Sequence, residues 1–97
     1  MADYKNTSTE KLYETIALLR TKEECAAFFE DLCTIKEILD MAQRLDTARL
    51  LESGMSYQKI AEKTGVSTAT ISRVNRCLNY GSGGYRTAID RSKENGK

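Results

Sequence analysis

The chain has 97 residues, no proline, six glycines and 30% charged residues, and its mean hydropathy is −0.51. That composition describes one helix-rich soluble domain (residues 1–97) and excludes collagen-like, disordered and proline-rich linker classes. The net charge of +1 hides an asymmetry: residues 1–54 carry 7 Lys/Arg against 11 Asp/Glu, and residues 55–97 carry 8 against 3.

A basic second half of this kind suits a polyanionic partner. No apolar run approaches the ~18 residues that a membrane span needs. The opening Met1-Ala2-Asp3-Tyr4-Lys5 lacks the apolar stretch of a secretory signal, so a cytoplasmic location is expected. Histidine is absent, and Cys25, Cys33 and Cys77 show no C-x-x-C spacing. Neither a metal site nor a disulfide framework is therefore expected, and no cofactor is implied. Any enzymatic activity would have to rest on Asp, Glu, Lys or Tyr. The chain reads as a non-enzyme.

Three helices fill residues 8–53, each announced by an S/T-x-x-E capping box: Thr7–Glu10, Thr21–Glu24 and Thr34–Glu37. Leu12, Ile16 and Leu19 form the first apolar stripe, and Cys25, Phe28, Phe29 and Leu32 form the second. Ile35, Ile38, Leu39, Ala42 and Leu45 begin the third, which runs on to Leu50 and Leu51. Gly54 suits the left-handed position that ends it. Three stripes with so little chain to cover them predict a homodimer, with Phe28, Phe29, Ile38 and Leu45 as shared residues.

Residues 56–79 read as helix, three-residue turn, helix. Ser56 caps the first helix, and Ile60 and Ala61 face inward. Gly65 sits where positive φ is needed, Val66 plugs the angle, and Ser67 caps the second helix. Ile71, Val74 and Leu78 form the inward seam of that second helix, 68–79. This small–glycine–apolar spacing marks a helix-turn-helix.

At 100° per residue, Ala69, Ser72, Arg73 and Arg76 lie opposite the seam, with Thr68 at the margin. Short and hydroxyl side chains let a helix enter a major groove and touch base edges. Arg73 and Arg76, with Lys59 and Lys63, would neutralise phosphates. Double-stranded DNA is the expected partner. The alternative is a protein–protein module whose helix-turn-helix never touches DNA. After the glycine-rich break Gly81–Gly84, a short amphipathic helix is expected over 85–93, with a frayed tail at 94–97.

Gly54-Met55-Ser56-Tyr57, Ala69-Thr70-Ile71-Ser72-Arg73 and Arg76-Cys77-Leu78-Asn79-Tyr80-Gly81 resemble the trp-repressor-like group called YerC/YecD. Phe28–Thr34 and Ala42–Leu45 extend the resemblance over roughly residues 8 to 91. It implies an all-α, six-helix fold in an intertwined homodimer, acting as a transcriptional regulator, most simply a repressor. Positions matching the family motif imply DNA contacts at Gln58, Thr68, Ala69, Thr70 and Ser72. With the wheel and the cap, the candidate DNA-contacting set is Gln58, Lys59, Ser67, Thr68, Ala69, Thr70, Ser72, Arg73 and Arg76.

The resemblance also implies a vestigial effector pocket at Arg44, Arg73, Val74 and Cys77. Trp repressor has glycine and serine where this chain has Val74 and Cys77. Its tryptophan dependence is accordingly not expected here.

Overall fold

The computed structural model describes residues 5–96. Among them are six helices and no strand: α1 Thr7–Leu18, α2 Lys22–Leu32, α3 Ile35–Glu52, α4 Tyr57–Thr64, α5 Thr68–Tyr80 and α6 Gly84–Gly96. The fold is all-α, as expected. α6 continues past the 85–93 segment read from the sequence, and residue 97 lies outside the described residues.

Side-chain caps set the starts of the early helices, with one shift. α1 is capped by Asn6, whose Oδ1 accepts from the Thr9 N–H at 3.0 Å while Thr9 Oγ1 accepts from the Asn6 N–H at 2.9 Å. The box expected on Thr7 and Glu10 thus forms one residue earlier. Asparagine is at least as good an N-cap as threonine, so the upstream residue takes the role.

At α2, Thr21 Oγ1 accepts from the Glu24 N–H at 3.0 Å, and Glu24 Oε1 accepts from the Arg20 N–H at 2.8 Å. The glutamate therefore returns one residue upstream of the cap. At α3 both arms close on the expected pair: Thr34 Oγ1 accepts from the Glu37 N–H at 3.1 Å, and Glu37 Oε1 accepts from the Thr34 N–H at 2.8 Å.

The contacts divide into two compact units, one up to Ile38 and one from Leu39. In the first unit, α1 and α2 bury no residue. Phe28 and Phe29 are half-buried and meet edge to face, with ring centroids 5.7 Å apart. Leu18 stands 76% exposed.

The second unit holds two apolar clusters. Ala48, Val74, Leu78 and Ile89 form one, with Leu45, Leu51 and Tyr85 packed against it. Ile60, Val66 and Ile71 form the other, flanked by Leu50, Leu51, Met55 and Ala61. Full burial of Ile60 or Ile71 is worth about 1.5–3 kcal/mol each. Thr47 is also fully buried, and its hydroxyl donates to the Gln43 carbonyl at 2.8 Å, so no polar group is stranded there.

α3 ends in paired backbone bonds: the Met55 N–H reaches the Leu50 carbonyl at 3.1 Å and the Gly54 N–H reaches that of Leu51 at 3.0 Å. Gly54 adopts φ +95°, the left-handed conformation this cap demands. α6 is tied back to α3 by Lys93 Nζ–Glu52 Oε2 at 3.0 Å and Arg49 Nη2–Ser92 Oγ at 3.2 Å. Among the described residues no helix is long and apolar enough to cross a membrane.

Candidate nucleic-acid interface

α4, the turn 65–67 and α5 are held by local bonds that follow from residue type. Ser56 Oγ accepts from the Lys59 N–H at 3.2 Å and starts α4. Gly65 stops it at φ +77°, its N–H donating to the Ala61 carbonyl at 2.9 Å. A side chain there would strain the left-handed backbone even though the space around it is open. Thr64 Oγ1 then accepts from the Val66 N–H at 3.1 Å while donating to the Ile60 carbonyl at 2.7 Å, which draws Val66 into the core. Ser67 Oγ accepts from the Thr70 N–H at 3.2 Å and starts α5. Ile71, Val74 and Leu78 are all buried, so the opposite side of α5 must face outward.

Gln58 and Lys59 are exposed in the first turn of α4, and Ser67, Thr68, Ala69, Ser72, Arg73 and Arg76 are exposed at or along α5. Thr70 is half-buried, and Ser67 Oγ donates to its Oγ1 at 3.1 Å. It turns toward α3, lining an open cleft of about 290 Å³ together with Gln43, Arg44 and Ser67. Of the four residues assigned to a vestigial effector pocket, only Arg44 lines this cleft. Val74, at 2% exposure, is part of the core with Ala48, Leu78 and Ile89, while Arg73 and Cys77 are exposed.

One group of polar residues escaped the sequence reading. Asn79 Nδ2 donates to the Asn75 carbonyl at 2.9 Å and to Asn75 Oδ1 at 3.0 Å, and Asn79 Oδ1 accepts from Arg86 Nη2 at 3.1 Å. The i, i+4 spacing of the two asparagines was visible in the sequence. Arg86 joining them across the glycine link was not.

Residues 7–93 match the Trp repressor protein family. The chain belongs to that family. It is 56% identical over 85 residues to the uncharacterized protein YerC of Bacillus subtilis, covering 88% of this chain and 82% of YerC. A TrpR-like protein from Eubacterium eligens superposes with a TM-score of 0.88 at 48% identity, over 94% of each chain. A Staphylococcus aureus structure assigned provisionally as a Trp repressor gives the same TM-score at 40% identity, over 94% of this chain and 91% of that one. This Trp repressor family protein therefore keeps the family's six-helix, helix-turn-helix fold while placing a buried valine at position 74.

Proposed function

We propose that this protein is a cytoplasmic, sequence-specific regulator of transcription, most simply a repressor, that reads the DNA major groove with α5 as a homodimer. The observation that carries this reading is the division of α5 into a fully buried seam and an exposed face. Ala69 and Ser72 on that face are small enough to approach base edges, and Arg73 and Arg76 are placed to neutralise phosphates. Gln58 and Lys59 are exposed in the first turn of α4, Ser67 and Thr68 at the start of α5, and Thr70 acts through the half-buried flank of α5. Dimerisation is supported by apolar side chains left uncovered: Leu18 is 76%, Ile35 70% and Leu39 61% exposed. These three join Phe28, Phe29, Ile38 and Leu45 in the shared surface, Leu45 being only partly covered by the cluster of its own chain.

Gel shifts of one duplex at two salt concentrations test the DNA reading. Phosphate neutralisation predicts affinity that falls steeply with salt. Binding that is absent, or insensitive to salt, would instead favour a protein–protein module.

L-tryptophan does not control this protein in our reading. Val74 fills space where Trp repressor has glycine, and inserting a flat ring beside a packed valine costs about 1–3 kcal/mol. Cys77 replaces a hydroxyl by a thiol, a weaker hydrogen-bonding group. DNA affinity should be the same with and without L-tryptophan. Submillimolar binding by calorimetry that also tightens the DNA complex would contradict this.

A further inference from the structure

We propose that Arg86, seated against α5 by Asn79, contacts a DNA phosphate and carries the interface past the helix-turn-helix onto α6. The inference rests on the DNA-binding reading above and adds a residue to it. Ser72, Arg76 and Asn79 fall within about 60° of one another around α5, so they form one exposed stripe. Asn79 ends that stripe, and its Oδ1 accepts from Arg86 Nη2 at 3.1 Å. Its amide nitrogen is committed to Asn75, which turns the oxygen toward the guanidinium.

Arg86 therefore extends the stripe in space although it lies on another helix. The start of the link between the helices is also tied to α5. Gly81 closes α5 with its N–H on the Cys77 carbonyl at 2.9 Å, and a Cβ there would collide with that same oxygen.

Charge separates Arg86 from Lys93 on the same helix. Lys93 is paired with Glu52 at 3.0 Å, so its charge is already answered within the chain. Arg86 is held by a neutral amide, and among the described residues no carboxylate pairs with it. A guanidinium has five N–H donors, and the bond to Asn79 uses one of them. What remains is an oriented, exposed and uncompensated cation.

Distance gives its target. From Ser72 to Asn79 the helix rises about 10 Å, and the major groove is about 12 Å wide. A helix whose first turns lie among the bases brings its far end to the groove wall, where the phosphates are. Contacts of that kind fix register and carry no base preference.

The decisive variant is Arg86→Gln, which keeps an N–H donor for Asn79 and removes the charge. Binding to a preferred and an unrelated duplex is measured across a salt series, with melting and sedimentation of the free protein alongside. Arg86→Gln should lower affinity for both duplexes by the same factor. It should also flatten the slope of log affinity against log salt by about 0.9 per subunit. Melting and dimerisation should be unchanged, and Arg86→Lys should restore the slope.

A slope equal to that of the parent protein overturns the proposal, including when dimerisation or melting shifts instead. Arg76→Ala separates the two levels of the argument. If it flattens the slope and Arg86→Gln does not, only the Arg86 assignment fails. If the parent protein shows no salt-dependent DNA binding, the DNA reading fails and takes this inference with it.

Discussion

The two compact units of this chain are built on opposite terms. From Leu39 onward, α3 to α6 bury two apolar clusters, and Ile60, Ile71 and Val74 are essentially sealed from water. Up to Ile38, α1 and α2 have good caps and clear apolar stripes, yet no residue in either helix is buried. A helix of 11 or 12 residues is marginal on caps and propensity alone. The lesson is that an amphipathic stripe states a need for cover without saying which chain supplies it. In the second unit the same chain supplies most of it; for the first, and for exposed Leu39 where the second begins, we propose a second copy.

The contrast can be broken most forcefully at Leu39. With 61% of its surface exposed, glutamate there would be solvated in a lone chain, costing within about 0.5 kcal/mol. Buried between two copies, the same unpaired charge should cost several kcal/mol. Sedimentation of Leu39→Glu should show association weakened, with the dimer dissociating at concentrations at least about two orders of magnitude higher than for the parent protein, and an unchanged dimer would remove the proposed interface.

Inside the second unit, Ile71→Ala should lose about 2–5 kcal/mol in denaturant unfolding at fixed protein concentration, because a cavity is left in a closed core. Gly65→Ala comes next. Forcing a Cβ into the left-handed conformation should cost about 1–2 kcal/mol and weaken DNA binding through the altered angle between α4 and α5.

Smallest are the caps. Asn6→Ala and Thr34→Ala should each cost about 1 kcal/mol, whereas Thr7→Ala should cost much less because Asn6 holds the cap of α1. Thermal melts of the three variants rank them directly.

Local chemistry explains what could be read from the sequence. The helix-turn-helix was legible because serine caps, a left-handed glycine and an apolar plug each solve a nearest-neighbour problem, and Ser56, Ser67, Gly65 and Val66 do so in the structure. The cap of α1 slipped by one residue because Asn6, Thr7 and Thr9 all offer suitable oxygens, and the motif alone does not rank them.

Features that depend on distant parts of the chain stayed hidden. Arg44 meeting Ser67 and Thr70 across a cleft depends on how α3 packs on the turn. Arg86 reaching Asn79 depends on the path of the glycine link. Val74 illustrates the intermediate case: its inward direction followed from spacing, but its partners Ala48 and Ile89 come from helices on either side in sequence.

The central claim is that two copies of the exposed α5 face read DNA together. Selection of bound sites from random duplex DNA tests it most directly. The account predicts enrichment of a two-fold symmetric sequence whose half-sites lie about one helical turn, roughly 34 Å, or a multiple of it apart. Recovery of unrelated sequences with no shared half-site would contradict it.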